Sequence, residues 1–148
     1  MIKPRATTTI SAEPRDVITF IADPISAPRW MKALEVSELL TPGPTRPGTR
    51  FREVQSAGGQ RIETICEVVE YDGETRYAWK SVSEGPAHYG GGFEAVPVEG
   101  GTELRYEGWA TTTGPLAKRE EAWARQAQRE AEAELAAIKE AVEGRLRS

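Results

Sequence analysis

The N-terminal part of the chain combines extended patterns with a helical one. Apolar and polar residues alternate over residues 5–10, which is typical of a strand with one buried face. Residues 13–22 then carry apolar side chains at helical spacing, and Pro24 and Pro28 each interrupt the backbone. Residues 34–40 return to an extended apolar pattern. We therefore predict a strand, two short helices and a second strand.

Turn residues at regular intervals divide the segment from Gly48 to Thr112. No helical pattern lies between the turns, and closely spaced strands with short turns indicate an antiparallel meander. We predict five strands here. The turns are SAGGQ at 56–60, YDGE at 71–74, SEGPA at 83–87 and VEGGT at 98–102.

The hydrophobic period changes after Pro115, a residue that suits the first position of a helix. Apolar residues then recur at steps of three and four, which predicts a long helix from Pro115 to Glu143. At ~1.5 Å per residue this helix would run about 43 Å and cross the whole molecule. Its apolar stripe comprises Leu116, Trp123, Ala127, Ala131, Leu135, Ile138 and Val142.

Size and charge narrow the class of protein. The chain has 148 residues, which suits one domain over residues 1–148, and a formal net charge of −4 without a basic stripe, so nucleic acid is not an expected partner. Cys66 is the only cysteine, which excludes an internal disulfide and a CxxC zinc motif and favours a reducing compartment. No apolar run is long enough to cross a bilayer. We expect a cytoplasmic protein without an integral membrane segment.

Strand alternation assigns one face of each predicted strand to the interior. Every strand arginine that can be phased takes the outward position: Arg50, Arg52, Arg61, Arg76 and Arg105. The inner face is aromatic with scattered hydroxyls, and its residues are Phe51, Glu53, Gln55, Ile62, Thr64, Cys66, Val68, Tyr77, Trp79, Ser81, Tyr89, Gly91, Phe93, Ala95, Leu104, Tyr106 and Gly108.

Two features of the last strand pair remain open. The glycines at 90–92 indicate curvature of the sheet or a close approach by another group, and curvature is the simpler explanation. Trp109 takes the outward phase, unless a bulge near Gly108 turns it inward or another molecule covers it.

Glu53 is the one acidic residue in the inward phase, and it is the candidate catalytic group. A carboxyl in an apolar pocket has a raised pKa and can act as a general acid or base near neutral pH. The alternative is that Glu53 lies at the wet end of its strand or pairs with a base. His88 takes the outward phase, and Cys66 fits a small apolar filler better than a nucleophile. We expect no metal site and no cofactor.

Several phrases, in this order and spacing, resemble the START-like superfamily, also called SRPBCC or helix-grip, and within it the polyketide cyclase/dehydrase-like proteins. The resemblance covers residues from about Pro4 to Arg145. It implies an α+β fold in which a curved antiparallel seven-stranded sheet wraps around a long C-terminal helix, with two short helices between strands 1 and 2. The phrases are SAEPRDVITFIADPISAPRWM at 11–31, PGTRF at 47–51, EVVEYDGETRYAWKS at 67–81 and FEAVPVEGGTELRYE at 93–107.

The resemblance also implies a hydrophobic cavity between sheet and helix. One function is then binding or transport of a hydrophobic small molecule, such as a polyketide, flavonoid, sterol or lipid. The other is a polyketide aromatase/cyclase or dehydratase. Cyclases of this fold tend to use inward arginines and tyrosines, and the outward arginines of this chain favour binding. The alternative is that the inner side chains fill a core, with Trp30 packed between helices and sheet. The expected ligand-binding residues are Trp30, Phe51, Thr64, Tyr77, Trp79, Tyr89, Phe93, Tyr106 and Trp123.

Overall fold

The computed structural model describes residues 1–23, 26–31, 34–57, 60–85 and 87–147. The predicted helix-grip architecture is confirmed: a curved antiparallel sheet of seven strands, a long C-terminal helix, and two short helices before the second strand. The elements are β1 (Arg5–Ile10), α1 (Pro14–Ala22), α2 (Ala27–Trp30), β2 (Leu34–Leu39), β3 (Arg50–Ala57), β4 (Gln60–Tyr71), β5 (Arg76–Ser81), β6 (Ala87–Val98), β7 (Gly101–Thr112), a 3₁₀ helix (Gly114–Arg119) and α3 (Glu120–Arg147).

The sheet has the strand order β1-β7-β6-β5-β4-β3-β2, so β1 and β2 form its two edges. The segment with α1 and α2 connects these edges. The pairing register shifts between Leu34 and Val36 on β2, and between Val68 and Glu70 on β4. Such irregularities bend a strand and increase its twist, which contributes to the curvature that surrounds the interior.

Helix α3 packs mainly along β1, with further contacts to α1, α2 and β7. Its 28 residues correspond to about 42 Å at ~1.5 Å per residue. Polar contacts also tie it to β1, since Lys139 Nζ donates to the carbonyl of Thr9 at 2.5 Å and Gln128 Nε2 to that of Arg5 at 2.6 Å. The buried residues of its stripe are Ala131, Leu135, Ile138 and Val142.

The start of the terminal helix differs from the prediction. Gly114–Arg119 forms a 3₁₀ helix, and α3 begins at Glu120 and continues to Arg147. Turns of this kind are common at helix N-termini, and a hydrophobic pattern over six residues does not separate them from an α-helix. Trp123 and Ala127, in the first turns of α3, are half-buried.

The glycines of β6 and β7 make room for two aromatic side chains. A Cβ at Gly91 would lie 2.8 Å from the ring of Tyr106, and one at Gly108 would lie 2.5 Å from its hydroxyl. On the other face, a Cβ at Gly90 would lie 2.8 Å from Trp109 Nε1. The β6–β7 register is continuous, so Trp109 faces outward, half-buried over Gly90, without a bulge. Close approach therefore accounts for these glycines better than curvature alone.

Most residues predicted for the inner face are buried or half-buried there, and Ile62 is the exception. Its side chain is 47% exposed. Ile62 pairs with Gln55 near the end of the β3–β4 hairpin, where an inward side chain has passed the edge of the core. The phase of a strand fixes the face of a residue but not whether another element covers it.

Candidate functional site

A small cavity, here called the Trp30 cavity, lies between the α1–α2 segment and strands β2–β5. Its volume is about 20 Å³, room for about one water-sized group. The residues that line it are Ile21, Ala22, Asp23, Ala27, Trp30, Met31, Ser37, Thr45, Thr49, Phe51, Glu53, Val68, Tyr77 and Trp79. Aromatic and aliphatic groups supply most of the wall, and a few hydroxyls and carboxyls supply the rest.

Glu53 brings a carboxyl group to this wall from β3. Its side chain takes the inward phase of the strand, and the residue is 4% exposed. Gln55 Nε2 donates a hydrogen bond to Glu53 Oε2 at 3.0 Å. Burial raises the pKa of Glu53, and the bond from Gln55 opposes that rise. The side chain is thus held inside the fold, and not at a wet strand end.

Trp30 closes the cavity from the helical side. It is the last residue of α2, is 4% exposed, and meets the ring of Phe93 edge-on at a centroid distance of 5.9 Å. Its Nε1–H is buried and has no hydrogen-bond partner within the described ranges. Trp30 therefore serves as a packing residue and also presents an unused donor.

Phe93 is the centre of an aromatic cluster on the inner face. Its ring lies 6.5 Å from Tyr77 in a stacked arrangement and 4.9 Å from Tyr106. Tyr77 in turn meets Tyr71 edge-on at 6.0 Å. Such pairs stabilise a core beyond the area they bury. In this region the inner-face rings pack against one another.

A second polar group lies beside the half-buried Trp79. Trp79 and Tyr89 meet edge-on at 5.6 Å, and the Tyr89 hydroxyl lies near Thr64 and the thiol of Cys66. Burial is the main cause that raises the pKa of both Tyr89 and Cys66. Cys66 is fully buried, so its thiol is a packing group and not a nucleophile.

Glu134 on α3 is an inward carboxyl that the sequence reasoning missed. Burial, then the charges of Glu130 and Glu53, raise its pKa to about 8. Burial, and then the charge of Glu134, raise the pKa of Tyr106, so this carboxyl lies near an inner-face tyrosine. The signal was present in the sequence: Glu134 lies three residues after Ala131 and four before Ile138, within the apolar stripe.

A family model described as "Polyketide cyclase / dehydrase and lipid transport" matches residues 1–143. The chain belongs to this family. A search of curated proteins finds no matching sequence.

Solved structures agree with the fold of this family member. TTHA0849 from Thermus thermophilus is 26% identical, with a TM-score of 0.80 over 95% of this chain and 96% of that one. The Zhui aromatase/cyclase from Streptomyces sp. R1128 is 18% identical, also with a TM-score of 0.80, over 99% of this chain and 96% of that one.

The strand arginines of this polyketide cyclase/dehydrase family member lie on the outer face, in ion pairs with outward acids. Arg52 contacts Glu38 at 3.0 Å and Glu63 at 3.4 Å, and Arg61 contacts Glu35 at 2.7 Å. Arg50, Arg76 and Arg105 form similar outer pairs. His88 is exposed. In the part of the chain that the structure describes, no group of His, Cys, Asp and Glu is arranged to hold a metal ion.

The structure groups the predicted site residues into three sets. Trp30, Phe51, Glu53, Tyr77 and Trp79 line the Trp30 cavity. Thr64, Tyr89, Phe93 and Tyr106 lie on the same inner face of the sheet outside that lining. Trp123 lies apart from both, half-buried near the start of α3. Among the described helices, none is long and apolar enough to span a membrane.

Proposed function

We propose that this protein binds or carries a mostly apolar small molecule with a few oxygen atoms, seated between the inner face of the sheet and α3 and reaching the Trp30 cavity beside the α1–α2 segment. The observation that carries the proposal is the Trp30 cavity, where buried polar atoms interrupt an apolar wall. Apolar surface provides the affinity in such a site, while a few polar groups fix orientation. The family description, which names polyketides and lipids, supports this choice of ligand.

Binding requires the interior to open. A cavity of about 20 Å³ is far below the 300–1,000 Å³ of typical ligand sites. The half-buried side chains of Trp79, Tyr89 and Tyr106 are the candidate contacts for the body of the ligand, since they are already partly accessible. A ligand that prefers the open form shifts the population toward it by its difference in affinity for the two forms.

A thermal-shift panel of flavonoids, polyketides, sterols and fatty acids tests the proposal. A ligand present at about 100 times its Kd stabilises the native state by about 2.7 kcal/mol, or several degrees in Tm for a protein of this size. Trp79→Leu on the inner face should reduce the shift, whereas Trp109→Leu on the outer face should retain it. If no class of compound raises Tm at high concentration, the proposal fails.

A polyketide aromatase/cyclase or dehydratase is the second candidate, and Glu53 favours it. A buried carboxyl whose pKa is raised can transfer protons near neutral pH, and Glu134 adds a second such group nearby. The aromatase/cyclase of similar fold supports this candidate by analogy alone. Glu53→Gln should abolish turnover of a polyketide substrate without loss of fold, and unchanged turnover would remove Glu53 from the mechanism.

A cytoplasmic location and a single domain stay predictions.

A further inference from the structure

The Nε1–H of Trp30 is an unusual group for a protein interior. Buried donors in native structures almost always have a partner, because an unpaired one loses its hydrogen bond to water without replacement. Trp30 is 4% exposed and lines the Trp30 cavity, and none of the described residues accepts its Nε1–H. The acceptor that this donor lacks is therefore one that an occupant of the cavity can supply.

Glu53 lines the same cavity and supplies the opposite chemistry. Its carboxyl carries two acceptor oxygens, and among the described residues the hydrogen bond from Gln55 is made to Oε2. Two of the hydroxyls on the wall already have backbone partners: Thr45 Oγ1 donates to the carbonyl of Ala22 at 3.3 Å, and Thr49 Oγ1 accepts from the N–H of Arg46 at 3.0 Å. The lining thus offers an occupant the unpaired donor of Trp30 and the carboxyl of Glu53, and it also includes the acid Asp23 and the hydroxyls of Ser37 and Tyr77.

The volume and charge of the cavity further restrict which chemical groups can bind there. About 20 Å³ admits one oxygen-sized group and not a branched one. No lysine or arginine is among the lining residues that the structure describes, and the strand arginines are engaged on the outer face. A carboxylate would therefore meet the acidic Glu53 without a cation to neutralise it.

We propose that the Trp30 cavity is a hydroxyl subsite for the ligand of the proposed function. An alcohol or phenol oxygen accepts from Trp30 Nε1–H and donates to a carboxyl oxygen of Glu53. An ammonium group cannot accept from Trp30 Nε1–H, and a methyl group can neither accept nor donate, so each leaves at least one of the two groups unpaired. The ligands selected are neutral, hydroxyl-bearing hydrophobic molecules, and fatty acids are rejected. This inference deepens the proposed function and rests on it.

Three probes with one bicyclic body test the subsite: 2-naphthol, 2-methylnaphthalene and 2-naphthoate. At neutral pH we expect 2-naphthol to bind about tenfold more tightly than either of the others, the effect of one or two net hydrogen bonds. Bound 2-naphthol should also shift the ¹⁵N–¹H resonance of the Trp30 indole. With 2-methylnaphthalene this resonance should stay near its position in the ligand-free protein. This measurement uses the unaltered protein and does not depend on a variant folding.

Two substitutions separate the roles of the two groups. Trp30→Phe should reduce the affinity for 2-naphthol to the level of 2-methylnaphthalene. The affinity for 2-methylnaphthalene itself should stay within about twofold of its value in the unaltered protein. Glu53→Gln should increase the affinity for 2-naphthoate, because an amide that can donate to the ligand carboxylate replaces an acidic group that opposes it. Matched controls on the outer face, Trp109→Phe and Glu63→Gln, should change none of these values.

Equal affinity for all three probes would overturn the hydroxyl subsite and leave the proposed function intact. A preference for 2-naphthoate, or a Trp30 indole resonance unmoved by bound 2-naphthol, would also overturn it. Binding of none of the three probes would reject the subsite as well. The thermal-shift panel decides the proposed function separately, since it includes ligands of other shapes.

Discussion

Replacing Glu134 by glutamine tests whether the interior holds a second carboxyl of raised pKa. Glu134 is half-buried on the inner side of α3, and burial is the main cause that raises its pKa to about 8. Glutamine keeps the size and shape of the side chain and removes its titration. The comparison of variant and parent therefore isolates the free energy linked to one proton.

The sign follows from the order in which the two states release that proton. In the unfolded chain Glu134 ionises near 4.5, whereas in the folded protein it holds its proton until about pH 8. Below pH 4.5 the titration of Glu134 therefore takes nothing from the free energy of unfolding of the parent. As the pH rises from 4.5 to about 8, this titration lowers that free energy. The variant does not share that loss.

The size of the effect is set by the difference between the two pKa values. The rise from 4.5 to about 8 corresponds to at most about 5 kcal/mol, at about 1.4 kcal/mol per pKa unit. Glu134 keeps some contact with water, which screens part of this interaction. We therefore expect the free energy of unfolding of Glu134→Gln to be about 2 kcal/mol higher than that of the parent above pH 8. Below pH 4.5 the two free energies should be equal.

Urea unfolding across this pH range measures both proteins under the same conditions. Glu140→Gln, at an exposed position on the same helix, is the matched control and should follow the parent at every pH. A difference between Glu134→Gln and the parent that stays constant with pH would refute the reasoning. So would a difference that grows as the pH falls, since this requires a lowered pKa in the folded state.

Three further predictions concern the inner face. Phe93→Ala should lower the free energy of unfolding by about 3–5 kcal/mol, because Phe93 is 3% exposed, whereas the half-buried Trp79→Ala should lower it less; equal losses in urea unfolding would contradict this. Gly91→Ala should destabilise because its Cβ would lie 2.8 Å from the Tyr106 ring, and adding Tyr106→Leu should recover part of the loss, whereas additive effects would contradict the close approach. Cys66 is buried with its pKa raised by burial, so a thiol reagent should react at the rate of unfolding, and fast reaction in the native protein would show that the thiol is accessible.

The order of elements could be predicted because turn residues and hydrophobic period carry that information locally. The predicted first strand matches β1 (Arg5–Ile10). The four predicted turns fall between the successive strands from β3 to β7. The start of α3 could not be placed, because a 3₁₀ turn and an α turn differ by one residue in their hydrogen bonds and hardly at all in pattern. Pro24, one of the two predicted interruptions, lies outside the described residues.

The facing of site residues could be predicted, and the space between them could not. Alternation turned Glu53, Tyr77 and Phe93 inward, as the structure has them. How closely the two walls approach depends on contacts between distant residues, such as Trp30 on α2 against Phe93 on β6. The pattern of apolar and polar residues along the chain does not predict that distance. The sequence therefore could not predict the volume of the cavity.

The polar interior is best explained by function, because its members break the pattern that the rest of the chain follows. Acids and arginines on the strands pair on the outer face, as Arg61 does with Glu35. Glu53, Glu134 and the Nε1–H of Trp30 depart from this rule. Glu53 and Trp30 are buried, and Glu134 is half-buried on the inner side of α3. A buried carboxyl whose pKa is raised destabilises the folded protein near neutral pH, and an apolar residue in its place would not. Proteins tolerate such departures mainly where a site requires them, which is why the interior polar groups, and not the ordered outer charges, indicate where a ligand binds.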